Sequence, residues 1–253
     1  MRTLTQVWVF FVTLTITLLV IGFQLRGRLG LFLSFLFSLF LIYIILHRGV
    51  LLFKNQLSYK EQLGSDPTGF VKLLNTLNIQ YTGGQHMDLH LFFAKDNTPP
   101  LVWKDYPNKG FIVIHESLLE HLTENEKKIL AHFLLSHLKM HPTFRPRLFS
   151  VFEMGFLHLQ FLFSPIISLV ATLFRSPQYY LQSDLMSLQN SHASSYEFGY
   201  FLKKLHDFKF HSSQKLHGAE YFSVLTSRKH SFLKNYGQPR LRTRFLTVMG
   251  FVP

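Results

Sequence analysis

The chain contains no cysteine. Disulfides, thiolate nucleophiles and cysteine-ligated metals are therefore excluded, which leaves His, Asp and Glu as the strong metal ligands. Charge is also scarce: charged residues make up 16% of the 253 positions, against about a quarter in ordinary soluble domains. Acidic residues are the scarcer sign, 14 Asp and Glu against 26 Lys and Arg, for a formal net charge of +12. The basic residues are scattered and no nucleic-acid-binding motif accompanies them. Beside apolar runs, such an excess suits an anionic lipid surface better than RNA or DNA.

What the chain has in abundance is apolar surface, 47% hydrophobic residues with 28 phenylalanines. Two uncharged apolar runs, residues 7–23 and 29–46, are separated by Gln24-Leu25-Arg26-Gly27-Arg28 alone, with no small-residue cleavage site between them. That arrangement predicts a retained transmembrane hairpin rather than a signal peptide. Arg2, Arg48, Lys54 and Lys60 fall on one side of it and Arg26 and Arg28 on the other, which points both ends toward the cytoplasm. A further apolar region at 148–174 is broken by Glu153 and by Ser164-Pro165. It is long enough to span once or to dip in and return. Glu153 is either a functional charge in an apolar setting or an interfacial residue.

Between these regions Asp66-Pro67-Thr68 predicts the cap of a helix running through Phe70, Leu73, Leu74 and Leu77. Residues 89–94 and 101–103 read as short strands around a turn at 95–100, and 111–114 as the strongest strand, preceded by a turn at Asn108-Lys109-Gly110. A helical turn at 117–121 leads to Thr123 and Glu126, which have capping-box spacing. Ile129, Leu130, Phe133, Leu134, His137 and Leu138 then recur at helical period, and Pro142 stops the helix. Residues 176–253 read as helical and basic, with loops near 191–195 and 211–218. The fold class expected is mainly α with a small β-sheet (α+β) plus transmembrane helices. Residues 1–48 form the hairpin, and 49–253 form a domain interrupted by the membrane segment at about 148–174.

This order of parts resembles the HtpX-like membrane zinc metallopeptidases, relatives of the CAAX prenyl endopeptidases. GFIVIHESLL, from Gly110 to Leu119, is similar to that family's edge strand and following turn. LTENEKKILAHFLLSHLKMH, from Leu122 to His141, is similar to its active-site helix. SPQYYLQSD, from Ser176 to Asp184, is similar to its later S-R-R-R-E-F-x-A-D motif, and QPRLRTR, from Gln238 to Arg244, to its H-P-x-x-x-x-R element. Each motif alone is weak; their order carries the resemblance. It implies a zincin-like fold in which two His of H-E-x-x-H bind zinc, the Glu activates water, and a Glu on a later helix is the third ligand.

In this register the chemistry is missing. The first ligand position is Phe133, the acid–base position is Leu134, and the third ligand position is Tyr180; His137 alone remains of the metal set, with Asp184 and Arg244 as supporting residues. The family's C-terminal His is Gln238. His137 and His141 are spaced i, i+4, but Leu138 then stands where the Glu belongs. His132 lies about 140° around the helix from His137, and His115-Glu116 is followed by Leu119 where a second His would stand. The plain alternatives are a core histidine at 137, a structural Asp184–Arg244 pair, and Tyr179 and Tyr180 in an interfacial aromatic belt.

The reading implied is a catalytically inactive membrane metallopeptidase homologue. It would act by protein binding as adaptor, regulator or complex subunit, with no metal or other cofactor. Its partners would be membrane lipid and another membrane protein, and the resemblance puts it in a bacterial inner membrane with the main domain cytoplasmic. Two other readings stand: an active, divergent zinc endopeptidase with shifted ligands, and a structural or lipid-associated membrane protein.

Overall fold

The computed structural model describes residues 2–43, 59–61, 66, 68–82, 87–94, 98–105, 109–140, 178–208, 223–225 and 239–252. The expectations for 148–174, 211–218, Glu153, His141, Pro142 and Gln238 lie outside the described residues. Within them the chain is mainly helical with a small mixed sheet. The helices are α1 (Arg2–Tyr43), α2 (Phe70–Thr82), α3 (Glu116–Glu120), α4 (Glu124–Met140), α5 (Gln178–Ser191), α6 (Ser195–Asp207) and α7 (Leu241–Met249). The strands are β1 (Tyr59–Glu61), β2 (Asp88–Ala94), β3 (Leu101–Asp105) and β4 (Lys109–His115).

Helix α1 is two helical arms joined where Arg26 (φ −141°, ψ 21°) and Gly27 (φ 57°, ψ −135°) leave helical geometry. Only glycine takes a positive φ there without a Cβ penalty. A methyl group on Gly22 would meet the Gly30 carbonyl oxygen at 2.5 Å and overlap Ser34, and one on Gly30 would overlap the Gly22 carbonyl. Residues eight apart in a straight helix are separated by about 12 Å, so the chain doubles back on itself at Gly27. Glycine and serine line the contact, as small residues do where helix backbones approach closely. The stretch Phe11–Tyr43 is long and apolar enough to cross a membrane, with a hydropathy of 1.7, and only 11% of an 18-residue apolar segment within it is buried. Val12, Ile16, Phe32 and Phe40 are among the large apolar side chains left exposed.

The sheet order is β1-β2-β4-β3, with β2 and β4 parallel and the outer pairs antiparallel. Two sequence expectations change here. Lys109 and Gly110 belong to β4 rather than to a turn, and β1 had no counterpart in the sequence reading. More consequentially, β4 is not an edge strand. It is paired on both sides, His90 with Phe111 through β2 and Trp103 with Phe111 through β3. Its run Phe-Ile-Val-Ile is buried on both faces, the pattern of an interior strand. Leu91, Val102, Ile112 and Ile114 join the helical core, while His90 and Trp103 stack on Phe111 on the opposite face, at ring-centroid distances of 5.1 and 5.3 Å.

The helices are set by local chemistry that the sequence states openly. Asp66 Oδ2 accepts from Lys72 N at 3.0 Å and Thr68 Oγ1 from Phe70 N at 3.4 Å, capping α2. At α4 Thr123 N donates to Glu126 Oε2 (2.8 Å) and Glu126 N to Thr123 Oγ1 (3.3 Å), the reciprocal capping box, where each cap contributes about 1 kcal/mol. Lys204 Nζ then donates to both Glu126 oxygens, at 2.9 and 2.7 Å, and pins α6 to the start of α4. Leu130, Phe133, Leu134 and Leu138 of α4 enter the core with Phe198, Phe201 and Leu205 of α6.

Candidate functional site

Helix α4 buries a stripe that includes Phe133, Ser136 and His137, and α5 buries Tyr180, Ser183, Asp184 and Ser187. The serines leave room for the polar groups between the two helices. From α7 comes Arg244, in the first turn of that short helix, a residue only 1% exposed.

Residues that the resemblance singled out meet in one cluster. The rings of Phe133 and His137 are 4.5 Å apart between centroids, edge to face, and those of His137 and Tyr180 are 5.6 Å apart. Arg244 donates to Asp184 through Nε (2.7 Å) and Nη2 (2.6 Å), a fork gripping both carboxylate oxygens, and through Nη1 to the Val224 carbonyl (2.8 Å). Its Cζ lies 5.4 Å from the Phe133 ring centroid and 5.9 Å from that of Tyr180. Leu134 is fully buried on the same helix. Tyr180 is 3% exposed and donates its hydroxyl to the Ser223 carbonyl at 3.2 Å, so it is a core residue and not part of a lipid-facing belt. Half-buried Tyr179 lies against it, centroids 4.0 Å apart.

The electrostatics are those of a closed pair with a neutral neighbour. Burial works to raise the Asp184 carboxyl, but the Arg244 charge and the hydrogen bonds from His137 and Arg244 outweigh it, and the group titrates below the ordinary carboxylate range. Burial pushes the His137 imidazole below its ordinary value, with only part restored by Asp184. A neutral His137 donates Nε2–H to Asp184 Oδ1 across 3.4 Å, a long hydrogen bond rather than an ion pair. Its Nδ1 is buried with no hydrogen-bond partner among the described residues. An orphaned acceptor of this kind costs about 1–3 kcal/mol.

Among the described residues no other histidine joins the cluster. His132 faces α2, where its Nδ1 meets the Tyr81 hydroxyl at 3.0 Å, and His115 Nδ1 accepts from Ser117 Oγ at 2.5 Å. No group of three or more His, Asp or Glu able to hold a metal occurs among the described residues. A surface groove of about 600 Å³ lies between α2 and β2, lined by Asp66, Lys72, Asn75 and Asp88 among others, and none of the cluster residues borders it. What sequence reasoning missed is the segment 223–225. It bridges to β3 at Leu101, sends Val224 N to Pro100 O at 3.1 Å, and supplies carbonyls to both Tyr180 and Arg244. Backbone acceptors leave no residue-type signal.

Chemically the cluster can hold three helices and the β3 edge together. It offers one carboxylate, already satisfied by a guanidinium, no exposed base and no nucleophile within reach of solvent. No protein-family model, curated protein or solved structure matches the chain.

Proposed function

We propose that the protein is a membrane-anchored pseudopeptidase, in which the place of a zinc site is taken by a sealed structural cluster and which acts by binding another membrane protein. In this reading both arms of α1 cross the bilayer, the Arg2 side is cytoplasmic, and the zincin-like domain follows on that side. The observation that carries the reading is the meeting of Phe133, His137 and Tyr180, whose rings lie 4.5 and 5.6 Å apart as the register of the resemblance requires. Phe133 has no lone pair, Leu134 moves no proton, and a phenol with a reference pKa near 10 is a poor ligand. Because β4 is covered by β3, the binding surface is not a strand-accepting edge at 111–114.

Charge arithmetic supplies the test. Asp184 and Arg244 neutralise each other in the buried cluster. Phe133→His, Leu134→Glu and Tyr180→Glu together add two carboxylates, which a zinc ion would neutralise and its absence would leave buried and unpaired. The wild-type protein, dialysed against a mild chelator, is expected to hold no stoichiometric zinc and to cleave no protein substrate. The triple variant is expected to gain thermal stability with added zinc. One zinc per wild-type chain, lost together with peptidase activity in His137→Ala, would overturn the reading in favour of an active enzyme.

A further inference from the structure

We propose that the outer face of α6 and α7 docks on an anionic bilayer surface, a second membrane attachment beside the α1 hairpin. It rests on anchorage through α1 and is independent of the peptidase resemblance.

Helix α6 buries Phe198, Phe201, Leu202 and Leu205 and turns Tyr196 and Tyr200 outward, 66% and 59% exposed. Lys203, also exposed, continues the same stripe at i+7. Helix α7 buries Arg244, Phe245 and Val248 and exposes Arg242 and Leu246. It then turns at Gly250 (φ 79°) into exposed Phe251 and Val252. The two faces are contiguous because the helices touch at Gly199, where a methyl group would meet Met249 Cγ at 2.6 Å. Tyr196, Tyr200 and Lys203 lie within a turn of Gly199, and Leu246 lies one turn before Met249.

Five exposed aromatic and aliphatic side chains around one helix crossing form an unusual surface for contact with water. Tyrosine is the side chain that settles at the headgroup level. Around it Lys203, Arg240 and Arg242 are exposed, and so is Asp207, which ends the same stripe of α6. Glu197, in the first turn of α6, is folded back onto Ser194 N and Oγ at 2.8 and 2.9 Å. Residues 207–253 hold Asp207 and Glu220 as their acidic residues beside eight Lys and Arg, of which Arg244 is buried against Asp184. The exposed charge of the face is basic on balance, three Lys and Arg against Glu197 and Asp207, with both exposed arginines at the α7 end; an anionic lipid surface complements that balance and takes up the tyrosines at its headgroup level. Tethering raises the effective concentration of the surface into roughly the millimolar range, so modest intrinsic affinity suffices.

The cysteine-free chain permits a clean test on the full-length protein. Val252→Cys, Tyr200→Cys and, as a control on α4, Glu124→Cys carry an environment-sensitive fluorophore in nanodiscs containing nitroxide-labelled lipid. The discs are phosphatidylcholine alone or about one-third phosphatidylglycerol. Quenching is expected at 252 and 200 in anionic discs, absent at 124, and abolished by about 0.5 M salt, where the Debye length falls to a few ångströms. With each basic residue worth about five-fold, Lys203→Gln with Arg242→Gln should weaken docking about 25-fold. Quenching that ignores lipid charge, appears equally at 124, or is missing at 252 and 200 overturns the proposal. So does protection of the label that requires two chains per disc, which would assign the face to a second copy.

Discussion

Asp184→Asn is the most direct probe of the buried cluster. The native carboxylate receives two short hydrogen bonds from Arg244, at 2.7 and 2.6 Å, with both side chains withdrawn from water. An amide of the same size keeps one acceptor but turns an NH₂ toward either the guanidinium or the His137 Nε2–H, and leaves Arg244 charged with the Val224 carbonyl as its main acceptor. Removing one partner of a buried ion pair costs about 3–5 kcal/mol. For a chain of this size that lowers Tm by roughly 6–20 °C. Replacing both partners with apolar residues, Asp184→Leu with Arg244→Met, removes the stranded charge, so the double variant should be more stable than Asp184→Asn or Arg244→Met alone. With Asp184→Leu alone as the fourth corner, thermal unfolding in detergent, followed by near-ultraviolet circular dichroism, completes the cycle. Acid adds a second readout. The Asp184 carboxyl is held below its unfolded value, so its stabilisation is present above about pH 3.9 and lost as pH falls through the lower folded value. The double variant should lack that loss. A Tm shift below about 3 °C for Asp184→Asn, with additive effects in the double variant, would refute the claim that the pair holds α5 to α7.

His137 is pushed down by burial, so the native imidazole stays neutral while the unfolded one takes a proton from about pH 6.5 downward. Stability should therefore fall between pH 7 and 5, and His137→Phe should flatten that slope; an unchanged slope would show that other histidines set it. In the hairpin, Gly30→Leu places a side chain against the Gly22 carbonyl and should part the arms. Ser38, fully buried in the parent, is the reporter: a Ser38→Cys probe should be slow toward a membrane-permeant maleimide in the parent and fast in the Gly30→Leu background.

How much of this was legible depends on how local each determinant is. The caps at Thr68 and Thr123, the strand Phe-Ile-Val-Ile and the reversal at Gly27 could all be read, because each is decided by residues within a turn or two of one another. The inward stripe of α4 was legible for the same reason: burial at period 3.6 places Phe133 and His137 on one face. Sheet order was not, since β3 and β2 flank β4 through pairings that no local pattern encodes, and an interior strand and a two-sided edge strand share the same apolar run. The cluster sits between these cases. The resemblance set Tyr180 beside Phe133 and His137, 43 residues from the latter, and gave Asp184 and Arg244 only as supporting residues; propensity alone names none of the three. The register could not say what the replacements would build. That depended on the reach of the Arg244 fork to Asp184 and on two backbone carbonyls at Ser223 and Val224. With those contacts made, the aromatic rings of Phe133 and Tyr180 flank a guanidinium whose charge is already met. The Asp184 carboxylate, met in that way by a guanidinium, has no uncommitted charge to offer a cation, and among the described residues most of the large exposed apolar side chains lie on α1 and at the α6–α7 crossing.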